Sequence, residues 1–109
     1  MSVRRIAEVI GLAPETAEEY LRLHADVWPD VLARLSESHV TNYSIYRHGE
    51  LLFSYFEYTG DDYESDMAAI AADPATQRWW SVCKPLQRPL PDRAEGEWWS
   101  PVAEVFHLD

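Results

Sequence analysis

The sequence predicts an α+β fold in which one antiparallel sheet is covered by helices on one face. Its 109 residues leave room for one domain, residues 1–109. Apolar residues make up 47% of the chain and charged residues 26%, a balance typical of a globular protein. Strand-like and helix-like segments alternate along the chain, and two consecutive strand-like segments form a hairpin. We therefore expect one core between a sheet and its helices.

The first third of the chain is predicted to be a strand followed by an interrupted helix. Residues 5–12 are mostly apolar, as in a strand. Pro14 suits a first helical turn, and Thr16-Ala17-Glu18-Glu19 has the spacing of a capping box. Apolar positions then recur at helical spacing: Tyr20, Leu23, His24, Val27, Trp28, Val31, Leu32 and Leu35. Pro29 lies inside this pattern and lacks an N–H, so the helix should bend or break close after His24.

The middle of the chain predicts a β-hairpin. Residues 40–46 and residues 51–58 are both strand-like, and they are joined through Arg47-His48-Gly49-Glu50. Gly49 is a natural turn residue in such a connection.

The last part of the chain predicts two helices, a loop and a final strand. Residues 61–72 have the character of a second helix, and Asp73-Pro74-Ala75 restarts a third. Residues 85–97 contain three prolines and form a loop, while residues 102–108 form the last strand. The resulting order, β-α-β-β-α-β, is the ferredoxin-like arrangement.

Charge and cysteine content exclude several classes of protein. The formal net charge of −10 would repel a phosphate backbone, so nucleic acid is not an expected partner. No apolar run approaches the roughly 20 residues of a membrane helix. Cys83 is the single cysteine, and the mixed segment from Met1 to Arg5 does not resemble a signal peptide. We expect a cytoplasmic protein that does not bind membranes.

Tyr20, His24 and Trp28 form the most suggestive group of side chains. They are spaced four residues apart, so they share one helix face. Taken alone, a histidine in this position is more often a hydrogen-bonded core residue than a catalytic one. The functional interpretation therefore needs support from elsewhere in the chain.

Other motifs point away from metals, nucleotides and serine hydrolysis. His39, His48, His107 and Cys83 show no metal-ligand spacing, and we expect no metal. The chain has neither a glycine-rich phosphate loop nor a Gly-x-Ser-x-Gly elbow. The adjacent Trp79 and Trp80 cannot both face one core, so one of them is free for a ligand or a dimer interface.

Several short segments, taken together and in this order, resemble the L-rhamnose mutarotase family. The resemblance runs from about Arg4 to Leu108 and is carried jointly by the following segments: Tyr20-Leu21-Arg22-Leu23-His24, Val27-Trp28-Pro29-Asp30, Asn42-Tyr43-Ser44-Ile45-Tyr46, Asp73-Pro74, Gln77-Arg78-Trp79-Trp80 and Glu104-Val105-Phe106-His107-Leu108. Members of this family interconvert the α and β anomers of a sugar.

The resemblance implies a fold, an activity and a set of site residues. It implies a homodimer of the dimeric α+β barrel type that works without a cofactor on a monosaccharide. His24 corresponds to the family's proton donor, and Tyr20, Tyr43, Trp79 and Trp80 correspond to residues that bind the sugar. The implied substrate is a 6-deoxyhexose such as L-rhamnose or L-fucose.

These residue types suit the reaction, although they leave alternatives open. Mutarotation needs only proton transfers, which an imidazole performs near neutral pH. A second acid/base group beside His24 is not evident from the sequence: Tyr43, water or the sugar itself could serve. The same architecture also occurs in haem-binding and cofactor-free oxygen-using proteins, which form the alternative prediction. A non-catalytic interaction domain is a third possibility.

Overall fold

A computed structural model describes residues 3–109 and contains five strands and four helices in that part of the chain. The strands are β1 (Arg4–Leu12), β2 (Val40–His48), β3 (Leu51–Tyr58), β4 (Gln87–Arg88) and β5 (Ser100–Val102). The helices are α1 (Ala17–His24), α2 (Pro29–Glu37), α3 (Tyr63–Ala72) and α4 (Pro74–Cys83). Single 3₁₀ turns, Pro14–Thr16 and Lys84–Leu86, precede α1 and follow α4.

The sheet is antiparallel, with the strand order β2-β3-β1-β4. Strand β5 also pairs with β1. The two short strands divide that edge between them, because β4 pairs with Gly11 and Leu12 whereas β5 pairs with the segment from Ala7 to Val9. They act as one fourth strand interrupted by a loop. The predicted ferredoxin-like order is therefore confirmed.

One face of the sheet packs on the helices and the other remains uncovered. On the helix side, Ile10 and Leu12 of β1 and Leu52 of β3 are almost fully buried in a cluster with Tyr20 of α1. Successive strand residues alternate between faces, so Val9 and its cross-strand neighbour Phe53 lie on the far side. Phe53 is 39% exposed there, which leaves this face without a partner in a single chain.

The first predicted helix is broken rather than bent, as its proline suggested. Helix α1 ends at His24, Trp28 is extended, and Pro29 begins α2 at a position where its missing N–H costs nothing. The predicted capping box at Thr16 is wrong. The Thr16 hydroxyl donates to the carbonyl oxygens of Ala13 and Leu86, and it accepts no hydrogen bond from the first turn of α1.

Carboxylates cap the two later helices. The side chain of Asp62 accepts from the backbone N–H of Ser65, so α3 begins two residues after the predicted start. Asp73 accepts from the N–H and the hydroxyl of Thr76, which separates α4 from α3 as the Asp-Pro step predicted. These caps place the two adjacent tryptophans on α4.

The predicted last strand is wrong in its bounds. The observed strand is Ser100–Val102, and residues 103–109 have no regular structure although they are apolar and strand-like. The backbone pairing with β1 ends at Val102 and Ala7, and beyond that pair the contact between the two segments is the side-chain ion pair of Arg5 with Glu104. Val105, Phe106 and Leu108 are exposed as a result.

Two smaller differences concern the end of a strand and a loop. Strand β2 extends two residues beyond the predicted end, to His48. The predicted loop at residues 85–97 contains the short strand β4, because Gln87 pairs with Leu12.

No helix within residues 3–109 is long and apolar enough to cross a membrane. The prediction that the N-terminus is not a signal peptide rests partly on Met1 and Ser2, which lie outside the described residues.

Candidate active site

His24 lies at the C-terminal end of α1, where backbone and side chains fix its orientation. Its Nδ1 lies 2.9 Å from the main-chain oxygen of Tyr20, which accepts a hydrogen bond from it. The imidazole stacks on the Tyr20 ring, with centroids 4.0 Å apart and planes inclined by 21°. Because a carbonyl oxygen only accepts, Nδ1 carries the proton, and the lone pair of the neutral ring is on Nε2.

Trp79 of α4 packs against His24. The indole meets the imidazole edge to face at a centroid distance of 5.2 Å. It meets Trp28 in the same manner at 5.0 Å, and Trp79 itself is only 6% exposed. Burial among these rings lowers the pKa of His24 below its usual 6.5, whereas the hydrogen bond to Tyr20 opposes that effect. His24 is therefore neutral at pH 7.

A chain of hydrogen bonds from the sheet edge sets the orientation of the Tyr20 hydroxyl. The indole N–H of Trp98 donates to Oε1 of Gln87 over 2.7 Å, and Nε2 of Gln87 donates to the Tyr20 hydroxyl oxygen over 3.3 Å. The hydroxyl oxygen thus accepts from the protein, and its own proton remains available for another acceptor. Burial raises the pKa of Tyr20 to about 12, so this group remains protonated.

Tyr43 approaches from β2, after an irregularity in the strand. The pairing of β2 with β3 shifts register between Thr41 and Ser44, and Asn42 adopts a positive φ of 48°. This shift turns Tyr43 toward the helix side, where its ring contacts buried Phe56 at 5.3 Å. Burial of the hydroxyl, together with the proximity of Tyr20 and Glu8, raises the pKa of Tyr43 well above its usual range.

Trp80 turns away from Trp79 and lines an open cavity of about 490 Å³. The Lys84 ammonium lies 4.9 Å from the Trp80 ring and 5.4 Å from the Trp98 ring, between the two indoles. The other lining residues are Gln77, Ser81 and Pro85. The two adjacent tryptophans therefore face different surroundings, because neighbouring residues on a helix point in different directions.

The structure brings three of the five predicted site residues into direct contact and holds the other two nearby. Tyr20, His24 and Trp79 touch one another in series. Tyr43 and Trp80 each pack against the cluster around Phe56. The sequence interpretation missed Gln87 and Trp98, which reach Tyr20 through side-chain hydrogen bonds. In the sequence, Trp98 and Trp99 are evident only as an aromatic pair in a proline-containing loop region.

Acidic and sulfur-bearing groups are dispersed. Within residues 3–109 no three His, Cys, Asp or Glu side chains converge in a way that could hold a metal ion. The thiol of Cys83 is buried in the apolar cluster around Val31 and Trp79, and this burial raises its pKa to about 11. Cys83 therefore behaves as a small core residue.

Comparison with known proteins identifies the family. A family model described as L-rhamnose mutarotase matches residues 5–108. The chain belongs to the L-rhamnose mutarotase family. An L-rhamnose mutarotase of Phocaeicola vulgatus is 32% identical over 98% of this chain and all of the relative. An L-fucose mutarotase of Xanthomonas campestris is also 32% identical, over 99% of this chain and 90% of the relative.

A solved structure confirms the mutarotase fold. The crystal structure of an L-rhamnose mutarotase from Formosa agariphila superposes with a TM-score of 0.76 at 23% identity, covering 97% of this chain and 99% of that one. The predicted site residues of this chain lie on α1, β2 and α4 of this fold.

Proposed function

We propose that this chain interconverts the α and β anomers of a 6-deoxy-L-hexopyranose, with His24 as the acid/base. The observation that carries the proposal is the half-buried His24 imidazole. Its Nδ1 is held by the Tyr20 carbonyl, and its Nε2 has no hydrogen-bond partner among residues 3–109. A neutral imidazole with a fixed tautomer and one open nitrogen is suited to accept a proton.

The reaction needs one proton to move between two neighbouring oxygens of the sugar. Nε2 of His24 takes the proton from the anomeric hydroxyl, and the C–O bond to the ring oxygen breaks as the aldehyde forms. The imidazolium then gives the proton to the former ring oxygen, which becomes a hydroxyl. After rotation about the bond next to the aldehyde, the same steps in reverse close the ring on its other face. A single nitrogen can serve both oxygens, because both are bonded to the anomeric carbon.

Tyr20 and Tyr43 suit the binding of the sugar's oxygens. The Tyr20 oxygen accepts from Gln87, so the Tyr20 hydroxyl is left to donate to an oxygen of the sugar. Both phenols have raised pKa values and stay neutral throughout the working pH range. They therefore act as hydrogen-bond donors, and the proton transfer itself belongs to His24.

The aromatic walls suit the apolar part of a deoxysugar. A 6-deoxyhexose exposes C–H groups on its faces and a methyl group, and indole rings bind such surfaces. Trp80 is half-buried and faces the open cavity, whereas Trp79 is buried against His24. We assign the sugar-binding role chiefly to Trp80, with Trp79 forming the wall behind the imidazole.

The relatives narrow the substrate to two sugars. One curated relative is an L-rhamnose mutarotase and another, equally similar, is an L-fucose mutarotase. Both sugars are 6-deoxy-L-hexoses, and they differ in the orientation of their ring hydroxyls. We propose that this chain accepts one or both of them. The alternative of a haem-binding or oxygen-using protein is not favoured, because mutarotases match nearly the whole chain.

Saturation-transfer NMR on the anomeric protons tests this function. With L-rhamnose or L-fucose, the protein should increase exchange between the α and β signals, and His24→Ala should lower that increase by about 10²- to 10⁴-fold. His48→Ala, a change at the exposed end of β2, is the matched control and should retain full activity. Unchanged exchange in a folded His24→Ala variant would refute the role of His24.

We propose a homodimer as the working form. The uncovered sheet face carries Phe53 and Tyr46, which are 39% and 63% exposed. Residues 103–109 add Val105, Phe106 and Leu108, each at least 79% exposed, directly after the last residue of β5. Such apolar surface supports association through the sheet.

We also propose a cytoplasmic location, which is supported by a single cysteine that is buried and free.

A further inference from the structure

A carboxylate lies in the middle of an otherwise apolar strand face. In β1 the side chains of Ile6, Glu8 and Ile10 share the side that faces the helices, because strand residues alternate between faces. Ile10 is fully buried and Ile6 is half-buried, and each packs in an apolar cluster. Glu8 is half-buried between them. A charged residue at such a position is unusual unless it has a partner.

Glu8 occupies the gap between the two groups of aromatic residues proposed to hold the sugar. On one side, Ile10 belongs to the cluster that contains Tyr20 and Trp98. On the other side, Ile6 packs in the cluster that includes Trp80 and surrounds Phe56, the ring that Tyr43 contacts. The floor of the space between α1, α4 and the sheet is therefore polar at its centre and apolar at both ends.

The residue opposite Glu8 also lacks a partner. Ser54 of β3 pairs directly with Glu8 in the antiparallel register and is 3% exposed. Within residues 3–109 the Ser54 hydroxyl oxygen has no hydrogen-bond partner. In the same part of the chain the Glu8 carboxylate forms neither a hydrogen bond nor an ion pair, although other carboxylates of the sheet, such as Glu57, do. Leaving a buried polar group unsatisfied costs about 1–3 kcal/mol.

The electrostatics of Glu8 agree with this geometry. Burial raises the pKa of the Glu8 carboxyl, and the nearby charge of Glu97 raises it further. The charge of Glu8 in turn contributes to the raised pKa of Tyr43. Tyr43 therefore stays protonated within range of the Glu8 charge.

We propose that Glu8, with Ser54 beside it, forms a hydroxyl-binding subsite at the floor of the sugar site. The carboxylate accepts hydrogen bonds from two adjacent hydroxyls of the pyranose, and the Ser54 hydroxyl supplies a further donor or acceptor. This inference rests on the proposed function and adds a residue that selects among sugars. Two neighbouring hydroxyls satisfy one carboxylate without bringing a cation into the site. The apolar C–H faces then meet the indoles on either side.

Replacement of Glu8 tests the subsite directly. Binding of L-rhamnose and L-fucose, measured by calorimetry, should weaken by about 10- to 150-fold in Glu8→Leu, since a hydrogen bond to a charged group contributes about 1.5–3 kcal/mol. Glu8→Gln, which retains one acceptor, should lose less. Glu64→Gln removes an exposed carboxylate from the first turn of α3 and should bind as the unmodified protein does. The melting temperature of Glu8→Leu should not fall, because leucine suits the space between Ile6 and Ile10.

Monodeoxy sugars separate a direct contact from an indirect effect. Among the analogues of the better-bound sugar that lack the 2-, 3- or 4-hydroxyl, at least one should lose less affinity on Glu8→Leu than the parent sugar does, because one of its two hydrogen bonds to Glu8 is already absent. Equal losses for all analogues would overturn the proposal, as would unchanged affinity of Glu8→Leu for both parent sugars.

The outcome for the subsite can be distinguished from the outcome for the proposed function. If the unmodified protein binds these sugars but does not exchange their anomers, the mutarotase proposal fails, while the Glu8 comparison still decides the subsite. If exchange occurs and Glu8→Leu keeps its affinity, only the subsite fails. If the protein binds neither sugar, both proposals are overturned.

Discussion

His24 donates its Nδ1 proton to the main-chain oxygen of Tyr20 over 2.9 Å, within the last turn of α1. Tyr20 precedes His24 by four residues on α1, so the spacing of the helix itself brings this carbonyl oxygen beside the imidazole. The end of the helix thus supplies the group that fixes the tautomer of the imidazole. Nε2 is left as the atom that exchanges protons with the sugar.

The pH dependence of exchange should reflect the lowered pKa of His24. The neutral imidazole is the active base, and burial lowers its pKa below 6.5. We expect kcat/KM to rise with pH through a midpoint below 6.5 and then to level off. Trp79→Phe, which removes part of the wall against His24, should move the midpoint upward toward 6.5. A midpoint at or above 6.5 in the unmodified protein would contradict the proposed ionisation.

The sequence was sufficient for the parts of the site that follow from local geometry. Tyr20 and His24 are four residues apart on a helix, so their contact follows from helical spacing, and Pro29 marks the break that ends the stripe after Trp28. The hairpin and the Asp73 cap also depend on residues close in sequence. These features could be predicted because neighbouring residues determine them.

Features that depend on distant parts of the chain could not be predicted in this way. Gln87 and Trp98 reach Tyr20 because β4 pairs with the end of β1, a contact that spans more than 70 residues. The same limit applies to the last strand: residues 102–108 have a strand-like pattern, but a strand also needs backbone pairing with a partner, and the pairing with β1 ends at Val102. A pattern indicates which residues can pair and does not provide their partner.

The two adjacent tryptophans should differ in what their replacement changes. Trp79 is 6% exposed and contacts His24 and Trp28, so Trp79→Ala should lose about 3–5 kcal/mol of unfolding free energy. Trp80 faces the open cavity, so Trp80→Ala should raise KM more than it lowers kcat and should cost less stability. Thermal melts and concentration-dependent exchange rates check both. Equal stability losses with an unchanged KM would remove Trp80 from the site.

The exposed C-terminal segment should be required for association. Deletion of residues 103–109, or the single change Phe106→Glu, should convert the proposed dimer into a monomer, because the segment presents its apolar side chains to solvent in the isolated chain. Light scattering should give about twice the 12.6 kDa chain mass for the unmodified protein. Leu32→Glu, at a half-exposed apolar position on α2, should remain dimeric. A monomeric unmodified protein at micromolar concentration would refute the dimer.

Gln87 should control catalysis through the direction of the Tyr20 hydroxyl proton. In the unmodified protein the amide of Gln87 accepts from Trp98 and donates to Tyr20, so the phenol donates to the sugar. In Gln87→Glu the carboxylate can only accept, so the Tyr20 hydroxyl turns its proton toward residue 87. The sugar then loses a donor, and kcat/KM should fall about fivefold, the equivalent of one neutral hydrogen bond of about 1 kcal/mol.

A second replacement separates this effect from simple destabilisation. Gln87→Leu leaves both the Trp98 N–H and the Tyr20 oxygen without their partner, so it should lower the unfolding free energy by about 1–3 kcal/mol. Because its Tyr20 proton is not captured, Gln87→Leu should retain more kcat/KM than Gln87→Glu even though it is the less stable protein. Exchange rates compared with thermal melts for the two variants check this inversion. If activity instead follows stability across the pair, Gln87 has only a structural role, and Tyr20 donates to the sugar without its help.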